Sequence, residues 1–101
     1  MNKNMEVKSS CAIQVLPIGV EDKKKMYEFI DFAIDLIKDS KLKYLVTPFE
    51  TVIEGNIGEI LTLIEKINNL LLEKGLKTIC INIKLWSGDI GTIEEKLAKY
   101  T

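Results

Sequence analysis

A stretch near the C-terminal end of the chain alternates between apolar and polar residues from Lys77 to Trp86. Every second residue in it is a branched aliphatic: Ile79, Ile81, Ile83 and Leu85. A period of two residues is typical of a β-strand with one face in the core. The opposite face carries a mixed set of side chains: Thr78, Cys80, Asn82, Lys84 and Trp86. The chain must therefore build a sheet with one dry face and one half-polar face.

Two longer segments have apolar residues at helical spacing instead. The first runs from Asp22 to Asp39, with a stripe made of Met26, Phe29, Ile30, Phe32, Ala33, Leu36 and Ile37. The second begins at Asn56, which with Glu59 three positions later forms a capping-box pattern, and it ends at Gly75. The stripe expected for this second helix consists of Ile57, Ile60, Leu61, Ile64, Ile67 and Leu71.

The remaining elements complete the order β-α-β-β-α-β plus a terminal helix. Residues 10–16 form a strand with Cys11, Ile13 and Val15 on its apolar side. Residues 42–47 and 51–53 predict a hairpin around residues 48–50, and Thr92 caps a short last helix. Right-handed crossovers then give an α+β ferredoxin-like sandwich with sheet order 4-1-3-2 and both long helices on one face. We expect residues 1–101 to form a single domain.

The two faces of this predicted sheet have different surroundings. The rows Cys11/Ile13/Val15 and Ile79/Ile81/Ile83 should lie under the two helices. The other face has no helix predicted to cover it, and it carries Ala12, Gln14, Leu16, Cys80, Asn82 and Lys84. Such a surface is too apolar for open water and too polar for a dry core. It is typical of a binding or subunit-packing surface.

Composition excludes several classes of function. The 101 residues have a formal net charge of −1, with fourteen Lys, no Arg and no His. A nucleic-acid surface needs clustered positive charge, a bidentate phosphate site needs Arg, and a zinc site needs more ligands than Cys11 and Cys80. We therefore expect no metal and no nucleic acid. The polar N-terminus and the two separated cysteines predict a cytoplasmic protein with reduced thiols and no membrane span.

A family resemblance rests on the hairpin region. The run from Lys43 to Gly55, with Tyr44, Val46, Pro48, Thr51, Ile53 and Glu54 in fixed spacing, resembles the YkoF-like thiamine-binding family of small ferredoxin-like domains. Residues 15–19, 81–84 and 92–96 are similar to the same family. The sequence departs from the family at Glu50, where a turn glycine is usual, and at residues 86–89. The resemblance implies homo-oligomers built through the sheets, often tetramers. It also implies binding of thiamine or its hydroxymethylpyrimidine half, without catalysis.

Candidate ligand-binding residues follow from the chemistry of that ligand: Gln14, Thr47, Phe49, Thr51, Glu54, Asn82 and Lys84. The amides on the first and fourth strands suit the pyrimidine nitrogens, and Glu54 could receive the amine or offset the thiazolium charge. Phe49, Tyr44 or Trp86 could stack on a ring. Lys84 would repel thiazolium unless a carboxylate paired with it. The chain holds no predicted cofactor beyond this possible ligand.

Each assignment has a structural alternative. The two amides could bond across a subunit interface, the threonines could satisfy the turn, and Glu54 could serve the dipole of the second helix. The alternative function is a structural or regulatory oligomerisation module without a small ligand, and spare apolar residues of the second helix (Leu63, Leu70 and Leu72) favour self-association. An enzyme that uses carboxylates and Lys84 is a third hypothesis, although the sequence pairs no such groups.

Overall fold

The computed structural model describes residues 7–98 and 100. The strands are β1 (Lys8–Ile18), β2 (Lys43–Val46), β3 (Thr51–Asn56) and β4 (Thr78–Ser87). The helices are α1 (Lys23–Asp39), α2 (Ile57–Glu73) and α3 (Ile93–Leu97). No helix in the described ranges is long and apolar enough to cross a membrane. The N-terminal residues 1–6, in which we expect no signal peptide, lie outside the described part.

The four strands form one antiparallel sheet in the order β2-β3-β1-β4. This is the predicted order 4-1-3-2 read from the other edge, so the ferredoxin-like α+β fold is confirmed. Cys11 lies between Ile53 of β3 and Leu85 of β4 in the register, which places these residues on one face. Because side chains alternate along a strand, Ser10, Ala12 and Gln14 point to the other face, which we call the open face.

The core lies between α1, α2 and the dry face of the two central strands. Its sheet side is fully buried at Cys11, Ile13 and Ile53. The helices contribute Phe29, Ala33, Leu36 and Ile37 from α1, and Ile60, Leu63, Ile67 and Leu71 from α2. These aliphatic side chains hold the two layers together because burial removes them from water.

The apolar stripe of α2 differs from the prediction by part of a turn. Leu63 is 4% exposed and belongs to the core, although the sequence suggested that it was a spare residue for self-association. Leu61, which we placed in the stripe, is 52% exposed. The helix begins with the predicted capping box between Asn56 and Glu59. Both leucines fit an apolar stripe by spacing, and the rotation of α2 about its own axis decides which one is buried.

The end of β4 is less covered than expected. Ile79 and Ile81 pack against the core, but Ile83 and Leu85 are 43% and 48% exposed. Ile83 is the register partner of Ile13, which is buried. The prediction that Ile83 lies under the helices is therefore wrong, because the helix layer does not extend sideways far enough to cover it. Two helices cover the central strands β1 and β3, and this part of the edge strand lies beyond them.

The open face has a partial cover that the sequence did not indicate. Because β3 continues to Asn56, Glu54 lies within the strand instead of at the entry to α2. Its carboxylate accepts a hydrogen bond from the backbone N–H of Ile93, the first residue of α3. Lys43, the register partner of Glu54, forms an ion pair with Glu94. The expectation that no helix covers this face is wrong at its β2–β3 side, where these two contacts hold α3.

A pair of substitutions in α2 tests which leucine belongs to the core. We expect Leu63→Ala to lower the free energy of unfolding by about 2–4 kcal/mol, because it removes buried methyl groups and leaves a cavity. Leu61→Ala is the matched control, and it should change the free energy by less than about 1 kcal/mol. Urea denaturation followed by circular dichroism measures both values. Equal losses for the two variants would contradict the observed helix orientation.

Candidate functional site

The two neighbours of β1 differ in length, and this difference creates the candidate site. The pairing of β1 with β4 extends to Ile18, whereas its pairing with β3 ends where Ile13 meets Thr51. From Gln14 to Ile18, the edge of β1 that faces β3 therefore has no strand partner in the described part of the chain. Backbone N–H and C=O groups on such an edge remain available for hydrogen bonds with another molecule.

A cavity of about 360 Å³ lies beside this unpaired edge. We call it the β1-edge cavity. One wall is the first half of α1, with Met26, Tyr27 and Ile30, and the other is the β2–β3 hairpin at residues 46–51. The volume falls in the usual range for sites that bind small molecules, and most of the lining is apolar.

Thr47 closes the turn of the β2–β3 hairpin by hydrogen bonds to the backbone of Glu50. Its backbone N–H donates to the carbonyl oxygen of Glu50 at 3.0 Å, and its hydroxyl also donates to that oxygen. The same hydroxyl accepts from the backbone N–H of Glu50 at 3.2 Å. The Thr47 side chain thus holds the turn in shape, which leaves Phe49 and the Glu50 side chain free to project from it. Phe49 is strongly exposed at the rim of the cavity.

A polar cluster on the open face adjoins the cavity. The amide nitrogen of Asn82 donates to Oε1 of Gln14 at 3.2 Å, and Nζ of Lys84 lies 3.5 Å from Oε1 of Glu50. Gln14 and Glu50 both line the cavity. The charge of Lys84, which by itself would repel a cationic ligand, is therefore balanced by a carboxylate. Sequence reasoning had noted Glu50 only as a departure from the family pattern.

The predicted site residues fall into three groups. Gln14, Thr47, Phe49 and Thr51 line the β1-edge cavity. Asn82 and Lys84 do not line it, but they contact residues that do. Glu54 does not line it either, since its carboxylate points to α3 across the open face.

The aromatic residues of the cavity are not all those suggested by the sequence. Phe49 and Tyr27 line it, whereas Tyr44 and Trp86 do not. Trp86 is four residues from Asn82 along β4, about 13 Å at the usual rise per residue. Sequence reasoning missed Tyr27 because it flanks the apolar stripe of α1. Only the packing of α1 beside the end of β1 gives it a role.

The two cysteines have different surroundings. Cys11 is buried in the core, and burial raises the pKa of its thiol to about 11. Cys80 is exposed on the open face of β4, the face on which the alternation of β4 placed it. Neither cysteine lines the cavity. In residues 7–98 and 100, no group of three or more His, Cys, Asp or Glu side chains is placed to hold a metal ion.

Fold and cavity together define a ferredoxin-like α+β domain with a groove beside its central strand. Residues 11–101 match the family model described as thiamine-binding protein. A UPF0045 protein of Clostridium perfringens is 33% identical over 90 residues, which are 88% of this chain and 93% of that protein. The chain belongs to the thiamine-binding protein family, as the hairpin resemblance predicted.

Solved structures agree with this assignment. A Thermotoga maritima protein, described as a proposed thiamine biosynthesis or salvage protein, superimposes with a TM-score of 0.82 and 34% identity. The match covers 93% of this chain and 99% of that one. A Bacillus cereus domain of unknown function superimposes with a TM-score of 0.83 at 24% identity, and covers 99% of this chain and 96% of that one. The second comparison bears on the fold alone.

The placement of Glu54 leads to a prediction about its role. Glu54→Ala leaves the buried N–H of Ile93 without its acceptor, so we expect the free energy of unfolding to fall by about 1–2 kcal/mol. Any effect on ligand binding in the β1-edge cavity should be small, because the carboxylate lies away from the cavity. Glu94→Ala, which removes only an exposed ion pair with Lys43, should cost less than about 1 kcal/mol. Urea denaturation and calorimetric titration measure the two quantities, and a selective loss of ligand affinity in Glu54→Ala would contradict this role.

Proposed function

We propose that this protein binds thiamine, or its hydroxymethylpyrimidine half, in the β1-edge cavity. The observation that carries the proposal is the unpaired edge of β1, whose residues from Gln14 to Pro17 line an apolar cavity of about 360 Å³. Membership of the thiamine-binding protein family supports the ligand class. An aminopyrimidine needs hydrogen-bonding groups around the edge of its ring and apolar contacts over its two ring faces, and the cavity offers both.

The unpaired strand edge suits the pyrimidine half. An aminopyrimidine presents an amine donor next to a ring-nitrogen acceptor, and a strand edge presents C=O and N–H groups in the plane of the sheet. Such a ligand can continue the hydrogen-bonding pattern of β1 where β3 stops, as a peptide does when it adds to a sheet. The Gln14 amide, oriented by its 3.2 Å hydrogen bond with Asn82, adds a further polar contact at the same edge.

The walls of the cavity suit the ring faces. Tyr27 approaches from α1 and Phe49 from the hairpin, with Met26 and Ile30 also in the lining. Aromatic and aliphatic side chains on both sides favour a planar ligand, because stacking and burial act on the whole ring face. The same aromatic rings attract a cation such as thiazolium.

The proposed role is binding without catalysis. General acid–base chemistry uses groups with shifted pKa values that face one another in a cleft. Among the described residues that line the cavity, the one carboxylate is Glu50, and its partner is the Lys84 ammonium on the open face. This arrangement favours a protein that holds its ligand over an enzyme that transforms it.

Calorimetric titration with thiamine and with hydroxymethylpyrimidine tests the proposal. We expect binding to the wild-type chain, and we expect Phe49→Ala to weaken thiamine affinity by about 5- to 30-fold through loss of ring contact. Tyr100→Ala is the matched control, since Tyr100 is similarly exposed and does not line the cavity. The absence of heat with both ligands at millimolar concentration would refute the ligand assignment.

We also propose that the chain forms a homo-oligomer, a dimer or a tetramer, through the β4 side of its sheet. β4 is ten residues long, and in the described part of the chain it pairs only with β1. Its outer edge is flanked by exposed apolar side chains on both faces, Ile83 and Leu85 on one and Trp86 on the other. Long apolar edge strands pair readily with another strand unless they are covered, and a second copy offers the same edge.

Substitution of the edge tests this assembly. We expect light scattering to give a mass above that of the 11.5 kDa chain, and Leu85→Glu to reduce that mass by placing a charge in the interface. Leu72→Glu is the matched control on the α2 surface. Trp86 fluorescence should shift to longer wavelength when Leu85→Glu exposes the indole. If Leu72→Glu dissociates the oligomer and Leu85→Glu does not, the helix surface and not the β4 edge is the interface.

A further inference from the structure

Glu50 is the one charged residue among the described residues that line the β1-edge cavity. Its side chain is 32% exposed, so part of it is withdrawn from water. The surrounding lining is made of aliphatic, aromatic, hydroxyl and amide groups. A partly buried carboxylate beside a cavity attracts a cation more strongly than a carboxylate in open solvent does, because the local dielectric constant is lower.

The counter-ion of Glu50 is held loosely. Lys84 reaches it from the open face of β4, and the closest approach between Nζ and Oε1 is 3.5 Å. The Lys84 side chain is 81% exposed, so its ammonium can return to water without loss of packing. Exposed ion pairs of this geometry contribute little to stability. A cationic ligand that enters the cavity can therefore displace Lys84 from Glu50.

The other carboxylates of this region are already engaged. Glu54 accepts a hydrogen bond from Ile93, and Glu94 pairs with Lys43 at the α3 contact. Neither of them lines the β1-edge cavity. Recognition of positive charge in this cavity thus depends on Glu50, which projects from a turn whose backbone is fixed by Thr47.

We infer that Glu50 recognises the positive charge of the ligand, and that Lys84 is a displaceable counter-ion that competes with the ligand for Glu50. The inference rests on the proposed function, and it deepens that function by naming the ligand class as a planar aromatic body with a single positive charge. Lys84 then sets how strongly the cavity prefers cationic ligands over neutral ones. It weakens the binding of cations by competition and leaves neutral ligands largely unaffected.

Two substitutions and three ligands test the inference by calorimetry. The ligands are thiamine, neutral hydroxymethylpyrimidine, and benzyltrimethylammonium as an aromatic cation unrelated to either. Glu50→Gln should lower the affinity for both cations by about fivefold or more, and Lys84→Met should raise the affinity for both by about two- to fivefold. Hydroxymethylpyrimidine affinity should change by less than about twofold in either variant.

A second ion pair on the same face supplies matched controls. Lys43→Met and Glu94→Gln remove the same charges from the α3 contact, away from the cavity. They should leave the affinity for each of the three ligands within about twofold of the wild-type value. If they reproduce the effects of Glu50→Gln and Lys84→Met, the effects arise from overall charge, and the inference is overturned.

The outcomes separate this inference from the proposed function. Binding of thiamine and hydroxymethylpyrimidine with equal losses in Glu50→Gln, or with no loss, supports the ligand site and overturns the role of Glu50. Binding of benzyltrimethylammonium in a Glu50-dependent way, without binding of thiamine or hydroxymethylpyrimidine, supports charge recognition and refutes the thiamine assignment. A wild-type chain that binds none of the three refutes both.

Discussion

The unequal pairing of β1 is the constraint on which the rest of the structure depends. This strand has ten register partners in β4 and six in β3. The five rows from Ser9 to Ile13 have partners on both sides, and they bring Cys11, Ile13 and Ile53 together under the helices to make the core. The rows from Gln14 onward lack a neighbour on the β3 side, and the cavity lies there. Consecutive segments of β1 thus border the core and the cavity, and the boundary between them is the Ile13–Thr51 pair, where the pairing with β3 ends.

The pattern of the sequence predicted the fold well because the fold depends on periodicity. Alternation in β1 and β4 and helical spacing in α1 and α2 identify each element and its apolar side. The capping box at Asn56 and the positive φ of Gly75 mark the start and the end of α2, as the sequence predicted. What periodicity cannot give is the lateral extent of the helix layer. That extent leaves Ile83 and Leu85 exposed, and the orientation of α2 decides between Leu61 and Leu63.

The candidate site was predictable only in part, for a related reason. Gln14, Phe49, Thr47 and Thr51 were suggested by the hairpin resemblance and by strand position, and all four line the cavity. Tyr27 and Glu50 were not suggested, since their roles depend on how far β3 extends and where α1 packs beside it. Glu54 shows the opposite case. A shift of the expected strand end from residue 53 to residue 56 changed its surroundings from a helix entry to a contact with α3.

The closure of the β2–β3 turn has a consequence for how such a chain can diversify. Thr47 fixes the turn through the backbone N–H and C=O of Glu50, and not through any side chain at residues 48–50. Many residue types at position 50 are therefore compatible with the same loop, as long as position 47 keeps its hydroxyl. Natural variation at the tip can alter the charge and shape of the cavity rim while the sheet and its buried residues stay unchanged. Ligand preference and fold stability can thus evolve with little interference between them.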